Sequence, residues 1–144
     1  MQEQNFKNHT RLLPVFHFIV TPIMLALIIG AGINLVESYQ NDFGLYSASL
    51  IFLLSLLVAF IAYFARSLAL KAQDRAIRAE ENLRYFAITG KLLDSKLSLS
   101  QVIALRFAPN NELVDLAHRA VEENLSARAI KQSIQNWKGD YHRV

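Results

Sequence analysis

Three groups of residues in this chain have types and spacings that could do chemistry. Asp115, His118 and Glu122 stand at i, i+3 and i+7, so a helix would bring one imidazole and two carboxylates to one face. That is a conceivable donor set for a divalent metal, although the same trio is also an ordinary solvated helix face, which is the reading adopted. His17 sits among Phe16, Phe18 and Ile19, where an ionisable ring in an apolar stretch would suit proton relay. No Asp, Glu, Lys or Arg shares that stretch to partner it, and a neutral, hydrogen-bonded or snorkelling side chain near the headgroups fits equally. Arg128, Lys131, Gln132, Gln135 and Asn136 follow a break at Asn124-Leu125-Ser126. The spacing has the length of a helix-turn-helix, and those side chains suit base edges and phosphates. Against this, Asn124 occupies the usual turn-glycine position, and Glu122, Glu123 and Asp140 offset the positive charge.

Other chemistry is excluded more simply. The chain has no cysteine, which removes disulfides, thiolate metal sites and Cys nucleophiles. It has no Gly-rich phosphate loop, nucleophile elbow or zincin helix. A non-enzymatic protein with no catalytic residue, no metal and no cofactor is the expectation.

The elements that would position these residues are unusual. The 144 residues are 53% hydrophobic and only 19% charged, too apolar for an ordinary soluble domain. Positions 12–36 and 43–65 carry no formal charge, and each run exceeds the ~20 residues a helix needs to cross ~30 Å of hydrocarbon. The sequence therefore predicts two transmembrane helices, about 13–36 and 44–65. The first is too long for the core of a cleaved signal peptide. Lys7 and Arg11 precede the first span, only Glu37 and Asp42 carry charge between the spans, and Arg66, Lys71, Arg75 and Arg78 follow the second. Positive residues remain on the cytoplasmic side, so both termini are expected in the cytoplasm of a bacterial inner membrane. The four basic residues after the second span are expected to meet anionic lipid headgroups. The sequons Asn8-His9-Thr10 and Asn124-Leu125-Ser126 then lie where glycosylation does not occur. Asn34, Glu37 and Asp42 belong to the polar outer end.

The expected organisation is a lead (1–12), a two-helix hairpin (13–65), a stalk (66–89) and a helical tail (90–144). No Gly or Pro interrupts 45–89, so the second span and the stalk should be one helix ending at Gly90. Pro22 should bend or loosen the first helix. In the tail, Ser98 and Gln101 fit a capping box, and Pro109 ends that helix. Asn110 or Asn111 should cap the next helix, and Ser126 the last, with Ile130, Ile134, Trp137 and Tyr141 on one face. A tail of this size is too small to bury much core alone.

One row runs through the long helix. Ala62, Ala65, Ala69, Ala72, Ala76, Ala79, Leu83 and Phe86 are separated by alternating steps of three and four, and the spacing extends back through Ser55. Heptad spacing keeps one seam toward a partner, and small residues allow close approach. Ser55, Ala59 and Ala62 could hold the hairpin against Ala26 and Gly30 of the first span. Beyond the membrane, the cover could be a second copy, another membrane subunit or the chain's own tail.

"QNFKNHTR", "KLSLSQVIALRFA" and "ENLSARAIKQSIQNWKGDYHRV" resemble a family of small bacterial two-span membrane proteins known as a domain of unknown function. The resemblance spans essentially the whole chain and implies two spans and a cytoplasmic helical tail, with no activity, cofactor or catalytic residue. The reading that follows is an all-α membrane protein: a transmembrane hairpin whose second helix continues as a stalk, then three short helices. Its expected role is an oligomeric scaffold or an accessory subunit of a membrane assembly. The rival is a membrane-tethered nucleic-acid binder, and a small pore or transport component ranks third.

Overall fold

The computed structural model describes residues 5–6 and 13–140, and the regular elements among these are all helices, with no strand. Lys7, Arg11, the first sequon and Tyr141 lie outside the described residues.

The first long helix carries a π-helical turn near its start, Phe16–Val20, and continues as α1, Thr21–Gln40. Pro22 is the cause. It has no N–H to give the Phe18 carbonyl, and its ring crowds that turn. The turn widens instead, with the backbone N–H of Thr21 reaching the Phe16 carbonyl. The Thr21 hydroxyl donates to the same oxygen at 2.9 Å. His17 lies in this turn and donates through Nδ1 to the Leu13 carbonyl at 2.9 Å.

Helix α2 runs unbroken from Leu45 to Thr89, 45 residues. Its ends are set by glycines in the left-handed region, Gly44 and Gly90, both with φ 72°. The Gly90 N–H closes the last turn on the Phe86 carbonyl at 2.8 Å. Both α1 with its π-helical turn and α2 are long and apolar enough to cross a membrane.

By internal contacts the chain divides between residues 69 and 70, so the last 20 residues of α2 belong with the tail. In the hairpin unit, Ala31 and Ala48 are the buried residues among those described. Half-buried rows accompany them: His17 in the π-helical turn with Thr21, Met24, Ile28 and Leu35 on α1, and Phe52, Ser55, Ala59, Ala62 and Arg66 on α2. Gly32 marks the close approach, since a Cβ there would sit 3.6 Å from the Phe52 ring. Ala26 and Gly30 are not part of it, contrary to expectation. Both are exposed, and they line a shallow apolar concavity of about 450 Å³ with Ile23, Asn34 and Ile51. The α1 contact runs one residue further round the helix, through Ala31, because helices pair along a row rather than along an isolated small pair.

The tail unit is built on α3 (Leu99–Leu105), α4 (Asn110–Glu122) and α5 (Ala127–Ser133). Ser98 and Gln101 form the full capping box of α3, and Ser126 accepts from the Ala129 N–H to open α5. Gln101 also donates through Nε2 to the Leu125 carbonyl at 2.8 Å, tying the start of α3 to the loop after α4. Asn124 takes the left-handed turn there with φ 48°.

Two details differ from the sequence reading. Helix α4 has Pro109 at its N-cap with no side-chain cap, because the Asn110 Oδ1 accepts instead from Arg84 Nε at 2.9 Å. Helix α5 stops at Ser133, and Ile134 is already extended. Glu112 takes over at that point. Its carboxylate accepts from the backbone N–H groups of Gln135 and Asn136 and from Asn136 Nδ2, each at 3.0 Å. The segment is thereby drawn across α4, and Trp137 reaches Phe107, ring centroids 5.0 Å apart.

These bonds give a pH prediction. Burial is the largest single influence on the Glu112 carboxyl and pushes it up, but the three hydrogen bonds together outweigh it and hold it below the ordinary 4.5. A lowered folded value means stability that is present above pH 4.5 and lost as pH falls through the folded value. Glu112→Gln should therefore lower tail stability at pH 7 and flatten the acid limb, read by Trp137 fluorescence in urea at pH 3 to 7. An acid limb as steep as in the parent chain would contradict this assignment.

Candidate functional site

The outer part of α2 has two distinct faces. One carries Ile77, Glu81 and Tyr85, all buried, with Arg84 nearly so. Tyr85 is part of the tail's hydrophobic core, beside Leu105, Phe107, Leu113 and Ala117. Arg84 fixes the approach by spreading its guanidinium over four acceptors. It pairs with Glu81 at 2.9 Å, donates to Asn110, and reaches the carbonyls of Arg106 and Ala108 where α3 has just ended. Those carbonyls have no intrahelical partner, so a fork of N–H donors is well matched to them.

Burial pushes the Glu81 carboxyl above its ordinary value, and the charges of Arg84 and Lys138 only partly counter it. The Arg84 guanidinium that faces this carboxylate is also engaged with Asn110 and the two carbonyls.

The other face carries Ala72, Ala76, Ala79, Leu83 and Phe86, and all are exposed, Leu83 at 69% and Phe86 at 50%. At 100° per residue its mean direction lies about 150° from that of Ile77, Glu81 and Arg84. The described residues of the tail therefore do not cover the stripe, which leaves a second copy or another membrane subunit among the covers that the sequence left open. Nor is the row a single seam. Ser55, Ala59 and Ala62 are half-buried in the hairpin, whereas Ala65 and Ala69 are already exposed. A strict seven-residue spacing drifts about 20° per heptad around a straight helix, so the row turns away from α1 as it ascends.

The basic residues after the apolar stretch also separate. Arg66 is half-buried, its guanidinium 6.0 Å from the centroid of the Phe16 ring. Lys71, Arg75 and Arg78 are exposed and form no ion pair among the described residues.

The residues suspected of chemistry do not assemble a reactive site. His118 and Glu122 line a cleft of about 420 Å³ with Tyr85, Thr89, Lys91 and Asp94, while Asp115 lines a separate depression with Arg119 and Gln135. Among the described residues no group of three or more His, Cys, Asp or Glu could hold a metal. Within the cleft the Tyr85 hydroxyl lies 3.4 Å from His118 Nε2. The Thr89 hydroxyl donates to the Tyr85 carbonyl, and Asp94 accepts from the Lys96 N–H, so both serve local turns.

The proposed nucleic-acid face is broken up. Arg128 and Gln132 are exposed on α5, but Lys131 lies with its Nζ 5.6 Å from the Phe107 centroid, and Gln135 falls beyond the helix end. A helix of seven residues offers little length to lay along a groove.

Glu81, Arg84, Tyr85 and Glu112 were not singled out by the sequence reading. A signal existed, because Ile77, Glu81, Arg84 and Ile88 also follow four-three-four spacing. That row mixes charge with apolar residues, so a search for an apolar stripe passes over it.

No curated protein and no solved structure matches the chain. A family model does match it over residues 1–144, and the chain belongs to the family which that model describes, a family of unknown function (DUF6526).

Proposed function

We propose that this is a two-span bacterial inner-membrane protein with both termini in the cytoplasm, acting as a non-enzymatic scaffold or accessory subunit of a membrane assembly. The apolar windows of α1 and α2 support the membrane reading, since only 6% of each is buried. A core helix of a soluble protein would be mostly covered, whereas these present side chains such as Phe18, Ile29, Leu53 and Phe60 outward. At roughly 25 cal/mol per Å², that much apolar surface in water is untenable and calls for lipid.

The observation that carries the scaffold reading is the open stalk face. Leu83 and Phe86 stand exposed opposite the side that the tail occupies, and an exposed apolar face rimmed by polar residues is the mark of a docking surface. Lys71, Arg75 and Arg78 add attraction to anionic headgroups, strongest for the residues nearest the span.

Single cysteines in the cysteine-free chain test both parts. A membrane-impermeant maleimide should label Asp42→Cys in intact cells and Lys91→Cys only after lysis. In native membranes Ala76→Cys and Ala79→Cys should react at least about tenfold more slowly than Lys71→Cys, and detergent should abolish the difference. Equal reactivity at all three positions before detergent would remove the docking face.

A further inference from the structure

We infer that the occupant of the open stalk face is a second copy of this chain, parallel and in register, with Arg75 of each copy paired to Glu80 of the other. This rests on the docking-face reading above and specifies its partner.

With the stripe as the seam of a coiled coil, Ala69, Ala76 and Leu83 take the a positions and Ala65, Ala72, Ala79 and Phe86 the d positions. The flanking g positions are then Leu68, Arg75 and Asn82, and the e positions are Arg66, Gln73, Glu80 and Ala87. In a parallel pair each g residue meets the e residue five positions later on the other helix. Arg75 thus meets Glu80, Leu68 meets Gln73, and Asn82 meets Ala87. The one charged combination is complementary, and two-fold symmetry makes it twice. A slip of one heptad would set Arg75 against Gln73 or Ala87 and lose both pairs.

Both charges are available. Arg75 and Glu80 are exposed, and neither forms an ion pair among the described residues. The neighbours of Arg75 one turn away are Lys71, Ala72, Arg78 and Ala79, so nothing acidic on its own helix competes. Arg84, one turn from Glu80, is already committed to Glu81 and to carbonyls of the tail.

Leu83 and Phe86 supply the apolar anchor, and the alanines below them let two backbones approach closely. A foreign subunit has no reason to match this register, whereas a second copy carries both halves of it. Copies inserted with the same topology can only lie parallel. Confinement to the bilayer raises their effective concentration, so a modest contact area can suffice.

The test uses the full-length chain with Ala72→Cys, purified and reconstituted alone into phosphatidylethanolamine–phosphatidylglycerol vesicles, then oxidised. A disulfide dimer of twice the 16.3 kDa chain is expected. Arg75→Glu or Glu80→Arg should each reduce it at least about tenfold, because two attractions become two repulsions. Mixing the two variants should restore crosslinking, almost wholly between unlike copies. Unchanged Trp137 fluorescence shows that the tail is intact in each variant. Dimers indifferent to both substitutions would overturn the inference through a different register. Protection of Ala76→Cys in cell membranes, with no dimer in the reconstituted vesicles, would also overturn it while leaving the docking face standing. Loss of protection as well as of dimers would remove both.

Discussion

Arg84→Ala should destabilise the tail by about 3–5 kcal/mol, the range for removing one partner of a buried ion pair. The side chains of Glu81 and Arg84 are 8% and 13% exposed, so truncation leaves a nearly dry carboxylate without its nearest cation. It also strips a donor from Asn110 and from the carbonyls of Arg106 and Ala108, which close the end of α3. Urea unfolding of the full chain in micelles, followed by Trp137 fluorescence, measures the loss. The lost stability should grow with pH. Burial already holds the folded Glu81 value above 4.5, so its contribution is complete below 4.5 and declines as pH rises through the folded value. Removing Arg84 pushes that value further up. Glu81→Gln combined with Arg84→Ala should therefore recover part of the loss at pH 7. Arg84→Lys should recover little, because an ammonium cannot reach several carbonyls as a planar fork does. A loss below about 1 kcal/mol would mean the pair behaves as a surface salt bridge.

Phe107→Ala should cost about 3–5 kcal/mol, as full truncation of a buried aromatic generally does. Phe107 is fully buried and the largest such side chain among the described residues. Trp137 packs on one side of it, and the Arg106 guanidinium lies 4.6 Å from its centroid. Its carbonyl accepts from the Lys138 N–H at 2.8 Å, so the segment beyond α5 is pinned at the same point. The expected signature is a red-shifted Trp137 emission with faster amide exchange in both α3 and α5. Phe107→Leu should retain more than half of the stability, since it fills much of the space. Normal exchange protection in α3 alongside a shifted Trp137 would show that Phe107 seats only the last segment. Neither variant touches the open stripe, so both should leave the crosslinking behaviour of a folded chain unchanged.

How much of this was legible in the sequence depends on how far each decision reaches along the chain. Gly44 and Gly90 bound α2, and Ser98 with Gln101 and Ser126 open α3 and α5, through bonds that close within a few residues. The length and apolarity of both long helices, and the loosening at Pro22, are equally local. The end of α5 was not legible, because Glu112 takes the N–H groups of Gln135 and Asn136 from 23 and 24 residues away. Nor was the choice of covered stalk face. The sequence shows two competing rows on the outer part of α2, one of alanines with Leu83 and Phe86, the other of Ile77, Glu81, Arg84 and Ile88. Apolarity favours the first, yet Ile77, Glu81 and Arg84 of the second are the ones covered, with Ile88 left exposed, because Arg84 satisfies carbonyls at the end of α3 while Tyr85 enters the core. Short-range hydrogen bonds and helix propensity are properties of neighbouring residues, and the sequence alone determines them. Which buried polar group meets which distant carbonyl is decided only when the helices pack, and that choice leaves the apolar stripe open.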